Sequence, residues 1–372
     1  VTMPEVPAAP VGPEIDLDAI EDAGKLLMGA KRPMIMCGGG AQHASAEVLA
    51  LAEILDAPVT ALRSGRGVVS EDHALGVSTE AAWELWQDTD LLIGIGSRCE
   101  LQYLRWTGMM RADDRPAGPK LIRIEIDPVE LLRLKPDVGI VADAADGARA
   151  LAEAAGKNFS RTANARERIS EAKAAARARV EKIQPHVAYL DIIRAVLPRD
   201  GIFVKDICQS GFTSYFAFPV YQPRSYITSG YQGNLGYAFP TALGAKVAYP
   251  DKPVVAVVGD AGFNFAVQEL ATMAEHQIGL TVILFNNGAL GNVKRDQQMR
   301  FEGRTIASEL PNPSYAALAE SYGVAGYGVD SPSSLKPVLE KALADNKPAL
   351  IEVTLDLKDE TPPWEFIIRG AG

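Results

Sequence analysis

Val254-Val255-Ala256-Val257-Val258-Gly259-Asp260-Ala261-Gly262-Phe263-Asn264 and, one helix-length later, Val282-Ile283-Leu284-Phe285-Asn286-Asn287-Gly288 form the stretch whose reading decides the fold. Each half opens with a continuous apolar run of strand length, the pattern of a strand buried on both faces of a parallel sheet. From Asp260 to Asn287 is 287 - 260 = 27 residues, the length of one strand-helix-strand crossover. Both strands of such a unit end at the same edge, where open α/β sheets bind ligands, so the Asp260 and Asn287 side chains are expected to converge there. One carboxylate and one amide carbonyl are hard oxygen ligands, but too few for Mg²⁺, which completes its octahedral shell with water and substrate phosphates. Gly259, Ala261 and Gly262 leave backbone N–H groups open to a phosphate at the start of the following helix. The pattern therefore implies a phosphate-bearing cofactor with Mg²⁺. A helix-capping Asp followed by a polar turn explains a lone Gly-Asp equally well. It does not explain the matching Asn-Asn at the next strand end.

Working outward, apolar runs at Ile202–Lys205 and Ala349–Val353 extend the same sheet, with helical stretches over Tyr237–Tyr249, Val267–His276 and Tyr315–Tyr322. Upstream, Pro33–Cys37, Ala57–Leu62, Leu91–Ile95 and Leu121–Ile126 predict another parallel sheet covered on both faces. Ala144–Gln184 is rich in Ala, Glu, Lys and Arg and reads as helix plus linker. The fold class is α/β with two doubly wound parallel-sheet domains: residues 15–150 a central Rossmann-like domain, 151–184 a helical linker, and 185–372 a diphosphate- and Mg-binding domain. Residues 1–14, proline-rich at the start, read as a linker from a preceding N-terminal domain.

Composition narrows the function classes. The 372 residues are 47% hydrophobic and 23% charged, values of a globular protein that buries a core. A formal net charge of -10 without a basic run argues against nucleic acid as partner. Cys37, Cys99 and Cys208 are too few and too scattered for a disulfide framework or a zinc site, which favours a cytoplasmic location. The absence of a signal-peptide pattern and of any long apolar run excludes the membrane from the expected partners.

The Gly-Asp-Ala and Asn-Asn pair resembles the Gly-Asp-Gly and Asn-Asn signature of the thiamine-diphosphate-dependent enzymes, Ala261 standing for the third glycine. Leu91–Gly96 with Ser97-Arg98, and Ile124-Glu125-Ile126-Asp127-Pro128, are similar to the central domain of the acetohydroxyacid synthase group. Gly233-Asn234-Leu235-Gly236-Tyr237-Ala238-Phe239-Pro240 is similar to its diphosphate domain. The resemblance implies thiamine diphosphate and Mg²⁺ as cofactors, with Asp260 and Asn287 as metal ligands through side chains and Ala289 through its carbonyl. Leu235 becomes the bulky apolar residue that bends the cofactor into a V, and Gly233 the carbonyl facing its 4'-amino group; Leu235 also fits ordinary core. Gln209 and Ser210 would contact the diphosphate, or form a plain polar turn. The activity implied is decarboxylation of a small 2-oxo acid, carboligation of its fragment, or both.

That chemistry needs a carboxylate to protonate the cofactor's pyrimidine. The resembling family takes it from an N-terminal pyrimidine-binding domain, expected ahead of residue 1 or on another chain. Glu269, within the crossover helix, reads as structural. A homo-oligomer, dimer or tetramer of complete units, follows from the resemblance. Two rivals stand beside it: a non-catalytic cofactor- or nucleotide-binding fragment, and a nicotinamide-dependent oxidoreductase built on the first domain.

The resemblance loosens at Leu290–Gln297, where Arg295 and Asp296 replace the family's Gln-Trp pair. These residues would read an anionic or hydroxylated substrate, or form a solvated turn. Gly38-Gly39-Gly40 and Gly94–Cys99 lack the spacing of a dinucleotide fingerprint and read as structural glycines. Leu75–Trp83 replaces the family's FAD-gripping segment, so FAD is not expected. His43, His73, His186 and His276 lack metal spacing and read as capping or surface residues. The tail around Trp364 reads as packing, or as a segment closing over the pocket.

Overall fold

A computed structural model describes residues 12–108, 118–156 and 159–367. The linker expected over residues 1–14 therefore lies almost wholly outside the described residues. Twelve strands are described, falling into two six-stranded sheets. The first sheet holds β1 (Pro33–Cys37), β2 (Val59–Ala61), β3 (Gly76–Val77), β4 (Leu91–Ile95), β5 (Lys120–Glu125) and β6 (Val138–Val141) in the order β3-β2-β1-β4-β5-β6. That is the strand order of doubly wound nucleotide-binding folds. Pairs β1–β4, β4–β5 and β5–β6 are parallel, and β1 and β4 are buried at every residue.

The glycines following β1 and β4 are used up by close packing. A Cβ on Gly38 would stand 2.1 Å from the Gly96 carbonyl oxygen, and Gly96, at φ +53°, abuts Gly40. The two loops touch because neither carries a side chain there.

The second sheet holds β7 (Ile202–Lys205), β8 (Tyr226–Thr228), β9 (Val254–Gly259), β10 (Thr281–Asn286), β11 (Ala325–Val329) and β12 (Ala349–Thr354), ordered β11-β12-β10-β9-β7-β8 with every neighbouring pair parallel. Side chains alternate across the sheet, and both faces are covered. Val255, Val257, Ile283 and Phe285 pack into one core with Leu190 and Ile193. Val254, Ala256, Val258, Val282 and Leu284 pack into the other with Phe239, Leu270 and Tyr315. This two-sided burial is the physical reason for uninterrupted apolar runs. The order in which strands are added reverses at β7, with β8 on one side and β9 on the other, which opens the switch-point crevice at the carboxyl ends of β7 and β9.

The chain divides into two compact units, and the division departs from the one read in the sequence. Asp88–Ala165 joins the residues up to Val59, while Thr60–Gln87 joins the residues from Arg166 on. Arg66 gives the reason in the second unit: buried, it donates to the carbonyls of Ser214 and Phe218 and pairs with Glu71. The stretch Ala144–Gln184 forms two helices, Ala144–Ala155 and Ala165–Val180. No helix among the described residues is long and apolar enough to cross a membrane.

Candidate functional site

A cleft of about 160 Å³, partly open to solvent, lies at the carboxyl ends of β7, β9 and β10 in the second unit. Cys208, Gln209, Leu235, Gly259, Asp260, Ala261, Gly262, Asn287 and Ala289 line it, as do His186 and Glu360. The expected residues Gly233 and Ser210 are not among the lining. Gly233 sits at φ +66° in an exposed turn, and Ser210 is fully buried beneath.

The convergence of Asp260 and Asn287 follows from register. Phe285 pairs with Gly259 across β9 and β10, so the residues that follow leave the sheet side by side. Asp260 begins the short helix Asp260–Phe263. Its Oδ1 accepts from Ala261 N–H at 2.8 Å, and its Oδ2 accepts from Gly288 N–H at 2.9 Å and from Asn312 Nδ2 at 2.7 Å. Burial pushes the Asp260 carboxyl above the usual carboxylate range, against the pull of these neutral donors. A buried carboxylate answered only by neutral donors lacks a counter-charge. Asn287 uses its Nδ2 on Glu360 at 2.8 Å, while its Oδ1 accepts from Ala289 N–H at 3.2 Å and keeps a second lone pair.

These donors fit a divalent cation bound together with a diphosphate. Among the described residues no group of three His, Cys, Asp or Glu side chains could hold a metal alone. A carboxylate, an amide oxygen and a main-chain carbonyl would supply only part of the oxygen ligands such a cation needs, leaving the rest to phosphate and water. The phosphate side is equally prepared. Gln209 and Ser210 open the helix Gln209–Ala217, capped by Cys208, whose Sγ accepts from Gly211 N–H at 3.3 Å. Both polar atoms of the buried Gln209 side chain lack hydrogen-bond partners, as expected of a group placed for a ligand. A Cβ on Gly262 would stand 3.0 Å from Asp206 Oδ2. Asp206, fully buried, accepts from Ile207 N–H at 2.6 Å and Gly236 N–H at 3.1 Å, and so ties the phosphate turn to the Leu235 turn.

Three residues of the site carry no signal in the sequence. His186, expected as a capping or surface residue, is buried in the cleft wall, because the helix His186–Val196 starts beneath Ser210 and Phe285. Its Nδ1 lies 2.8 Å from Ser210 Oγ, and its Nε2 lies 3.4 Å from Glu360 Oε2. Glu360 and Asn312 are the others. Glu269 accepts from Thr272 within its own helix. Arg295 and Asp296 lie on a helix, Gly291–Arg300, where a turn was one expectation. Asp296 pairs with Arg300 in solvent, whereas Arg295 is half-buried with Nη1 unpartnered and its pKa lowered by burial. Trp364 packs at 5.3 Å on Phe212.

Comparison with known proteins now bears on this geometry. The family model described as thiamine pyrophosphate enzyme, C-terminal TPP binding domain, matches residues 206–353, and that described as thiamine pyrophosphate enzyme, central domain, matches residues 20–151. A probable acetolactate synthase large subunit of Methanocaldococcus jannaschii is 33% identical over 365 residues, covering 92% of this chain and 61% of that protein. A probable 2-ketoarginine decarboxylase of Pseudomonas aeruginosa is 33% identical, covering 83% of this chain and 55% of that protein. The isozyme 1 large subunit of Escherichia coli acetolactate synthase is 27% identical, covering 97% and 65%. The chain spans about 60% of the length of the first two acetolactate synthase relatives it matches.

Proposed function

This chain belongs to the thiamine pyrophosphate enzymes, and from that premise we propose that it is the central and diphosphate-binding part of an Mg²⁺-dependent enzyme that decarboxylates a 2-oxo acid, joins the resulting fragment to an acceptor, or does both. Support comes from one observation above all: Asp260 and Asn287 leave adjacent parallel strands side by side into one cleft. The relatives named as acetolactate synthases and as a 2-ketoarginine decarboxylase favour the same reaction class.

When bound, thiamine diphosphate supplies a thiazolium carbon that takes up the 2-oxo carbon and accepts the electrons released with CO₂. The chain's own residues bind and orient. Asp260, Asn287 and the Ala289 carbonyl would hold the cation, and the turn Gly259–Gly262 would receive the diphosphate beside it. Gln209 and the N–H groups opening its helix hold phosphate oxygens, and Ser210 adds to them through its backbone. Leu235, half-buried at the cleft wall, presents the apolar face against which the two rings fold. Gly233, in the exposed turn outside the cleft lining, would have its carbonyl meet the amino group only once cofactor is bound. Protonation of the pyrimidine falls to a carboxylate of a pyrimidine-binding domain, and the working unit is a cytoplasmic dimer or tetramer.

Native mass spectrometry of the chain with Mg²⁺ and thiamine diphosphate tests this reading. One cofactor retained per chain, and lost on adding a chelator, is the expected result. Failure to retain cofactor at saturating concentrations overturns it.

A further inference from the structure

Four side chains from separate elements form a connected line along the cleft: Ser210, His186, Glu360 and Asn287. Ser210 Oγ is 2.8 Å from His186 Nδ1, His186 Nε2 is 3.4 Å from Glu360 Oε2, and Glu360 Oε1 accepts from Asn287 Nδ2 at 2.8 Å. The His186 and Glu360 side chains are each only 1% exposed. Glu360 follows β12 and the turn Leu357–Asp359, 73 residues beyond Asn287. Burying a carboxylate in the cleft is costly, and the half-buried Arg295 guanidinium interacts electrostatically with Glu360.

His186 Nε2 faces Glu360 Oε2 at 3.4 Å without the geometry of a hydrogen bond, and the Ser210 hydroxyl shares with His186 Nδ1 a hydrogen bond whose donor is set by the ring tautomer. At the far end, Glu360 has only lone pairs to offer, so the Asn287 group facing it must be the NH₂. The Asn287 Oδ1 is thereby turned away from Glu360, toward Ala289 and the cleft. Without Glu360 only the 3.2 Å bond from Ala289 N–H would select the orientation of the amide, and the flipped amide would present its nitrogen, which repels a cation.

We propose that Glu360 is a positioning residue of the cation site, fixing the Asn287 amide with its oxygen toward the metal, and that His186 and Ser210 hold Glu360 in place for that role. The inference rests on the cation reading above.

The test uses the full chain, inorganic pyrophosphate and Mn²⁺ as a spectroscopically visible divalent probe, with free Mn²⁺ read by electron paramagnetic resonance. Glu360→Ala is expected to weaken Mn²⁺ binding about 10- to 100-fold, the usual cost of losing an outer partner of a metal ligand. Glu360→Gln is expected to restore most of that loss. Its Oε1 still accepts from Asn287, and its NH₂ faces His186 Nε2. Circular dichroism establishes that each variant is folded. Equal Mn²⁺ affinity in wild type and Glu360→Ala overturns the proposal, as does a Glu360→Gln variant as weak as Glu360→Ala. Failure of the wild type itself to bind Mn²⁺ with pyrophosphate brings down the cation reading and this inference with it.

Discussion

Asn312 Nδ2 donates to Asp260 Oδ2 at 2.7 Å across 52 residues of sequence, and also to Asn286 Oδ1 at 2.9 Å. One amide thus fixes both the carboxylate and the neighbour of Asn287, leaving Asp260 Oδ1 with only the adjacent Ala261 N–H. Asn312→Ala removes a hydrogen bond to a buried charged group, worth about 1.5–3 kcal/mol. Urea denaturation in the presence of a chelator is expected to show a loss in that range. No change would mean that the Gly288 N–H alone suffices.

Arg66 binds the stretch Thr60–Gln87 into the second unit. It pairs with Glu71, caps the Ser214 carbonyl at 2.8 Å and the Phe218 carbonyl at 2.5 Å, and lies over the Tyr226 ring at 4.6 Å. Arg66→Met fills similar volume but strands the largely buried Glu71 carboxylate and two carbonyls. The expected cost is about 3–5 kcal/mol, read from chemical denaturation followed in the second unit. A cost below about 1 kcal/mol would show that the segment is held by its apolar contacts instead.

The sequence made the centre of the second sheet legible because β9 and β10 are buried on both faces and write that burial as unbroken apolar runs. It hid β8 and β11 because one is three residues long and the other is a partly exposed strand with two glycines. Asp260 and Asn287 were readable because both candidate ligands sit at strand ends at crossover spacing. His186, Asn312 and Glu360 were not, since each is one polar residue whose partner lies 24, 52 or 73 residues away. The placement of Thr60–Gln87 was hidden for the same reason, the Arg66 acceptors being 148 and 152 residues downstream.

Leu235 separates a cleft role from a core role. It lines the cleft half-exposed, so truncation forfeits little burial. Leu235→Ala is expected to lower stability by about 1 kcal/mol or less, below the range of a buried leucine. A loss of 3 kcal/mol or more by thermal or urea denaturation would place Leu235 in the core and remove it from the candidate site.

Asp206 gives a pH dependence with a definite sign. Its carboxyl is fully buried, and burial pushes its pKa above the usual carboxylate range despite N–H donation from Ile207, Ala238 and Gly236 and the nearby Lys205 charge. The folded protein therefore holds this proton more tightly than the unfolded chain does. The stability this confers is complete below the ordinary carboxylate pKa and is lost as pH rises through the raised one. Asp206→Asn carries no titrating group, so this dependence vanishes, although at least one of these three N–H donors loses its acceptor at a roughly constant cost of about 1–3 kcal/mol. Thermal denaturation from pH 4 to pH 7 at fixed ionic strength is expected to show the gap between wild type and variant narrowing as pH rises. A gap that stays constant would place the Asp206 carboxyl at its ordinary pKa. A widening gap would mean that the backbone donors outweigh burial and hold the carboxylate ionised in the folded protein.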